Sequence, residues 1–103
     1  MRESKFQKIF GNTVRIKILE FFLIADELSF PISVLVENMN AKKTQIYREM
    51  KYLVKIGIIM DMGKQKISGS KNNATYYKLN RKSRVVKSIM SLYKTILKSE
   101  ELK

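Results

Sequence analysis

The fold is decided by residues 46–59, which read Ile-Tyr-Arg-Glu-Met-Lys-Tyr-Leu-Val-Lys-Ile-Gly-Ile-Ile. Three apolar residues recur there at spacings of four and three: Ile46, Met50 and Leu53. This period predicts one buried face of a helix. Gly57 is expected to end the helix, because glycine adopts without strain the left-handed backbone that terminates helices. We therefore predict a helix from Lys42 to Ile56.

Two further helices are expected upstream of this stretch. Asn12 and Thr13 are both residue types that cap helix N-termini, which predicts a helix over about residues 12–25. Residues 28–30 are interpreted as a short extended segment, because the residue before a proline is disfavoured in helical geometry. Pro31 suits a helix start, and the apolar spacing that follows predicts a short helix over residues 31–40.

A hairpin is expected downstream. Residues 58–60 are interpreted as the start of a strand, and residues 63–73 are polar and rich in turn-forming residues. The segment Thr75–Leu79 is rich in β-forming residues, with Tyr77 and Leu79 expected to point inward. The predicted order is helix, short strand, helix, helix, strand, basic loop, strand, helix.

The last predicted helix, residues 83–98, has more apolar surface than a single domain needs. Its apolar residues form two adjacent stripes, each with spacings of four, three and four: Val85, Ile89, Leu92 and Ile96, and beside them Val86, Met90, Tyr93 and Leu97. One such stripe is sufficient to pack the helix on its own domain. The other is expected to pack against a partner helix.

Positive charge is concentrated in one part of the chain. The 103 residues carry 21 Lys and Arg against 9 Asp and Glu, a net charge of +12. Residues 1–41 are neutral, whereas residues 42–98 have a net charge of +13. A compositional bias alone would spread the charge along the chain, so its placement favours a polyanionic partner.

Three motifs in this order resemble the winged helix-turn-helix transcription regulators of bacteria and archaea, such as the MarR-type and ArsR-type families. Arg15 followed by Ile18-Leu19 is similar to their first helix, residues 46–59 to their recognition helix, and Tyr77-Lys78-Leu79 to the strand that closes their wing. The sequence departs from the family at Lys42, where Ser or Thr is usual. The cysteine and histidine ligands of metal-sensing ArsR-type proteins are absent, so metal sensing is not implied.

The resemblance implies an α+β, mainly helical winged helix-turn-helix fold. Residues 1–80 would form the DNA-binding domain, and residues 81–103 a C-terminal dimerisation helix. With the apolar face inward, the opposite face of the 42–56 helix would enter the major groove of double-stranded DNA. The residues expected to contact bases are Thr44, Gln45, Tyr47 and Arg48. The residues expected to contact the DNA backbone are Lys42, Lys43, Lys51, Lys55, Lys64, Lys66 and Lys71.

The function expected from this pattern is that of a sequence-specific transcription regulator, a homodimeric repressor that binds an inverted repeat. Its dimer interface would be formed by Val85, Ile89, Leu92, Tyr93 and Ile96. The alternative is a winged-helix adaptor, or a general chromatin or replication protein that binds DNA without base specificity. A third hypothesis is membrane-surface binding through residues 81–98, although that segment lacks the Trp or Phe typical of such helices.

The residue types also bear on other function classes. The chain contains no cysteine and no histidine, which removes disulfides, the commonest zinc ligands and the commonest general base. Residues 42–98 contain only two acidic side chains, Glu49 and Asp61, and no paired-carboxylate set stands out. We therefore expect no enzymatic activity, no cofactor and no bound metal. The run of apolar residues from 18 to 24 is too short to cross a bilayer and is interrupted by Glu20, so we expect a cytoplasmic location.

Overall fold

Helices dominate the part of the chain that the computed structural model describes, residues 3–66 and 72–100. The helices are α1 (Lys5–Phe10), α2 (Val14–Ala25), α3 (Ile32–Asn38), α4 (Lys43–Lys55) and α5 (Arg84–Lys98). The strands are β1 (Phe30–Pro31), β2 (Ile59–Lys66) and β3 (Asn73–Leu79). The predicted α+β, mainly helical class is confirmed at this level.

The three strands form one antiparallel sheet in the order β1-β3-β2. Phe30 of β1 pairs with Tyr77, and Ile59 of β2 pairs with Leu79. The pairing of β2 with β3 is irregular between Asp61 and Lys64. At this point the Asp61 side chain accepts a 2.8 Å hydrogen bond from the Gly63 backbone N–H, and Gly63 has a φ of +83°.

The helix boundaries follow local capping chemistry. The Thr13 hydroxyl accepts a hydrogen bond from the Ile16 backbone N–H at 3.3 Å, as expected for the residue that begins α2. Pro31 precedes α3 as its N-cap, so the helix starts one residue later than predicted and ends at Asn38. Lys42 precedes α4 without a side-chain cap. Gly57, with a φ of +82°, ends α4 as predicted.

The core lies where α2, α3 and α4 meet the sheet. Ile18 and Phe22 of α2, Leu35 of α3 and Ile46 of α4 are completely buried. The predicted inner face of α4 is confirmed, because Met50 and Leu53 are only 1% and 3% exposed. Leu79 is buried as predicted, whereas Tyr77 is half-buried.

α5 shares this core, but neither predicted stripe is buried as a unit. The buried residues of α5 are Val86, Tyr93 and Ile96, which come from both stripes. Val85 and Leu97, one from each stripe, are more than half exposed. At about 100° per residue, the two stripes lie about 100° apart around the helix. The buried face is centred between them and therefore takes residues from both.

The buried carboxylate of Glu20 links α2 to both α1 and α5. One of its oxygens accepts hydrogen bonds from the Ser4 hydroxyl at 2.8 Å and from the Gln7 amide at 3.0 Å. The other accepts a hydrogen bond from the Tyr93 hydroxyl at 3.2 Å. Lys5 adds a second link, because its ammonium donates to the carbonyls of Leu97 and Ser99 at the C-terminal end of α5, where a cation is favourable.

Stability is expected to fall at high pH because of Tyr93. Burial, the nearby Glu20 charge and the hydrogen bond to Glu20 raise the pKa of the Tyr93 phenol from 10.0 to about 12. The unfolded chain therefore releases this proton at lower pH than the folded chain. The contribution is fully present below pH 10 and is lost as the pH rises toward 12, with a slope of up to about 1.4 kcal/mol per pH unit. Denaturant unfolding of the wild type and of Tyr93→Phe across this range checks it: an equal slope in both would contradict the assignment.

Candidate nucleic-acid interface

The outer face of α4 is polar, cationic and exposed. With Ile46, Met50 and Leu53 buried, α4 exposes four side chains on its opposite side: Thr44, Arg48, Lys51 and Lys55. Tyr47 is 48% exposed on one flank of this face, and Gln45 is half-buried on the other. α4 thus carries all four predicted base-contacting residues, with Thr44 and Arg48 outward and Gln45 and Tyr47 at the flanks.

Two more of the predicted cations lie at the N-terminal end of α4. Lys42 and Lys43 are both exposed. The Lys43 ammonium lies 5.8 Å from the centre of the Tyr47 ring, one helical turn further on, which is within the range of a cation–π contact. Both side chains are exposed, so the contact lies on the surface of α4.

The hairpin that follows α4 contributes two exposed lysines. Lys64 and Lys66 are exposed and lie two residues apart on β2, where they pair with Thr75 and Asn73 of β3. Because side chains alternate along a strand, both lysines point to the same face of the hairpin. Lys71, the third lysine predicted to contact the DNA backbone from this hairpin, lies outside the described residues.

An open groove of about 520 Å³ lies between the outer part of α4 and the sheet. Ile32, Met50 and Val54 supply its apolar lining, and the other lining residues are Tyr47, Arg48, Lys51, Asp61 and Tyr77. Burial, and then the charge of Asp61 and the nearby Tyr47, raise the pKa of Tyr77. The sequence predicted that Tyr77 points inward. It gave no indication that Asp61 lines this groove.

Arg15 makes a contact with α4 that the sequence did not predict. Its Nε and Nη2 atoms donate hydrogen bonds to Oε1 and Oε2 of Glu49 at 3.0 and 3.3 Å. The guanidinium carbon also lies 4.1 Å from the centre of the Tyr52 ring. The Glu49 side chain is only 13% exposed, whereas that of Arg15 is 46% exposed. The pair joins residues 34 positions apart, and only the family resemblance had drawn attention to Arg15.

The basic cluster Arg81-Lys82-Ser83-Arg84 lies at the start of α5, where cations oppose the helix dipole. Arg81 forms ion pairs with Asp26 and Glu27, the two acidic residues that follow α2. The Ser83 hydroxyl caps α5 by accepting a hydrogen bond from the Val86 backbone N–H at 3.3 Å. These ion pairs give Arg81 two partners within its own chain.

The five residues predicted to form the dimer interface differ in exposure. Tyr93 and Ile96 are 7% and 4% exposed and belong to the core of their own chain. Val85 and Leu92 are 59% and 44% exposed, and Ile89 is half-buried beside them. These three residues line a shallow groove of about 340 Å³ together with Arg84 and Ser88.

The described residues contain neither a membrane-spanning helix nor a group of acidic side chains suited to a metal ion. Over residues 3–66 and 72–100, no helix is both long and apolar enough to cross a membrane. Within the same ranges, no three acidic side chains come together in a group that would hold a metal ion.

Comparison of the chain with protein-family models, with curated proteins and with solved structures gives no significant match. Any assignment of function therefore rests on the residues and geometry described above.

Proposed function

We propose that this protein is a winged helix-turn-helix transcription regulator that binds double-stranded DNA in a sequence-specific manner, as a homodimeric repressor. The observation that carries the proposal is the outer face of α4, where Thr44, Arg48, Lys51 and Lys55 are all exposed. A face of this kind matches what major-groove binding requires. The groove is about 12 Å wide and admits one helix, and base pairs present distinct donors and acceptors there.

The arrangement of elements around α4 supports the same proposal. α3 and α4 are consecutive helices separated by residues 39–42, and β2 and β3 form a hairpin directly after α4. In helix-turn-helix proteins the second helix reads the major groove. With α4 in the major groove, Lys64 and Lys66 on the adjacent hairpin would meet the sugar-phosphate backbone as point charges.

The roles within the face follow from side-chain chemistry. Arg48 can donate two hydrogen bonds to O6 and N7 of guanine, and Gln45 can pair with N6 and N7 of adenine. Thr44 and Tyr47 suit contact with a thymine methyl group or with a phosphate. The lysines suit phosphates, because an ammonium group has no fixed planar geometry with which to read a base edge.

The proposal is tested by selecting bound duplexes from a random DNA pool and sequencing them. The expected result is an enriched inverted repeat whose half-sites are centred about 10 base pairs apart, because a two-fold dimer places its recognition helices one helical turn apart. Binding of the enriched repeat is then compared with binding of shuffled duplexes at the same salt concentration. Equal affinity for both would overturn the sequence-specific form of the proposal.

Substitution of Arg48 tests whether α4 reads bases. Arg48→Ala is expected to weaken binding of the selected site by about 1–3 kcal/mol and to relax specificity at one base position. Lys55→Ala, which also removes an exposed cation of the same helix, serves as the control and should weaken all duplexes by a similar factor. Selection repeated with both variants measures this, and an unchanged base preference in Arg48→Ala would exclude Arg48 as a base reader.

DNA binding without base readout is a second candidate, and one observation favours it. Except for Arg48, every exposed cation predicted to contact DNA is a lysine, including Lys64 and Lys66 on the hairpin. Lysines suit phosphate contact and carry no sequence information. In that case Arg48→Ala would weaken binding to every duplex equally, and the random pool would show no enriched motif.

The exposed edge of α5 supports the homodimer. Val85 and Leu92 are largely exposed and flank Ile89 on one side of the helix. The double variant Val85→Glu/Leu92→Glu is expected to be monomeric, because four carboxylates would then lie in a two-fold interface. Analytical ultracentrifugation measures the outcome. Leu97→Glu, at an exposed position on the other edge of α5, is the control and should remain dimeric. A monomeric wild-type chain would overturn the homodimer.

A further inference from the structure

Glu49 is the only acidic residue in α4, and it lies next to Arg48 in the sequence. A carboxylate at this position would repel DNA phosphates if it were left unpaired, because only 13% of its side chain is exposed and water screens it poorly. Arg15 holds both carboxylate oxygens with a two-point contact, the strongest and most directional geometry available to an ion pair. The charge of Glu49 is thus cancelled by a residue from another helix.

The same guanidinium also fixes the position of α4 relative to α2. Arg15 lies over the ring of Tyr52, which is one turn beyond Glu49 on the flank of α4 that faces α2. Gln45 lies on this flank one turn earlier, and it lines a cleft of about 260 Å³ together with Arg15 and Glu49. A contact that holds Glu49 and Tyr52 therefore also sets the height and rotation of Gln45.

We propose that Arg15 is a positioning residue for DNA binding that acts through Glu49. It neutralises the one carboxylate of α4 and locks the rotation of that helix on α2. This inference rests on the proposed function, and it adds a residue outside the helix-turn-helix segment to the determinants of affinity. It requires no contact between Arg15 and DNA.

A double-mutant cycle tests the inference. The variants are Arg15→Gln, Glu49→Gln and the combination of both, and the combination keeps the net charge of +12. Arg15→Gln is expected to weaken binding of the selected duplex roughly tenfold, because it exposes the carboxylate of Glu49 to the phosphates. Glu49→Gln alone is expected to bind at least as tightly as the wild type. The double variant is expected to recover to within about threefold of the wild type.

Lys17→Gln is the matched control, because it removes one positive charge from the same helix away from Glu49. It should change affinity by no more than about twofold, since loss of a single distant charge is largely screened. Thermal unfolding of every variant is measured in parallel. An Arg15→Gln variant that binds weakly only where it is partly unfolded would overturn the inference.

The other outcomes are distinct. If Arg15 itself contacts a phosphate, the double variant stays as weak as Arg15→Gln, and its salt dependence becomes shallower by about 0.9 per lost contact. If the wild type binds the duplex but the double variant does not recover affinity, the role of Arg15 is overturned and the proposed function still stands. Absence of duplex binding by the wild type overturns the proposed function and, with it, this inference.

Discussion

Raising the salt concentration from about 50 mM to about 200 mM is expected to weaken binding to duplex DNA by at least about a thousandfold. Each lysine that neutralises a phosphate releases a counterion, so affinity falls steeply as salt rises. The lysines expected to do this are Lys42, Lys43, Lys51, Lys55, Lys64, Lys66 and Lys71. Together they predict a slope of about −6 in a plot of log K against log salt for each protomer. Fluorescence anisotropy with a labelled duplex at several salt concentrations measures this slope.

Two charge-matched double variants show whether placement or net charge produces the slope. Lys64→Gln/Lys66→Gln removes the two described cations of the hairpin and is expected to make the slope shallower by about 2 for each protomer. Lys87→Gln/Lys94→Gln removes the same charge from the exposed side of α5 and should leave the slope unchanged. Equal effects in both variants would mean that the overall charge attracts DNA, and the interface on α4 and the hairpin would be contradicted.

The features that the sequence predicted well are those that depend on neighbours a few residues away. The buried face of α4 follows from apolar residues three and four positions apart, and its end follows from the left-handed backbone at Gly57. β2 was predicted only at its start. Beyond Met60 its side chains are all exposed, so no alternation of apolar and polar residues marks the strand.

The sequence did not show which apolar residues of α5 are buried and which are exposed. The stripe containing Val85 and Ile96 looks continuous in the sequence, yet Val85 is exposed and Ile96 is buried. The buried face of α5 is centred between the two stripes, so each stripe contributes both buried and exposed residues. Sequence spacing alone therefore cannot separate core residues from partner-facing residues on a helix that is apolar over a wide angle.

The ion pairs and the buried polar cluster were missed because they join distant parts of the chain. Arg15 and Glu49 are 34 residues apart, and Glu20 and Tyr93 are 73 apart, so no local pattern relates them. Only Glu20 was visible in the sequence, because it is the one charged residue inside the apolar run from 18 to 24. An interruption of that kind is a sequence signal for a buried charge whose partners must be found elsewhere.

Glu20→Ala is expected to lower the free energy of unfolding by about 2–4 kcal/mol, which corresponds to a fall in melting temperature of roughly 10–25 °C. The substitution removes the acceptor that the donors of Ser4, Gln7 and Tyr93 share, and it leaves a cavity under α1 and α5. A buried donor without a partner costs about 1–3 kcal/mol, and the cavity adds to this. Circular dichroism during thermal and denaturant unfolding measures the change.

Two further variants separate hydrogen bonding from charge. Glu20→Gln keeps one acceptor oxygen for Ser4 and Gln7, and its amide N–H can donate to the Tyr93 hydroxyl. Its free energy of unfolding should therefore fall by less than half as much as that of Glu20→Ala. Glu27→Ala breaks an exposed ion pair with Arg81 and should cost less than about 1 kcal/mol. Removing a buried charge also removes its desolvation cost, which opposes the predicted loss. An alanine variant as stable as the wild type would mean that this cost outweighs three hydrogen bonds. α1 would then be held to α5 mainly by Lys5 and by the Phe6 ring, whose centre lies 5.4 Å from that of the Tyr93 ring.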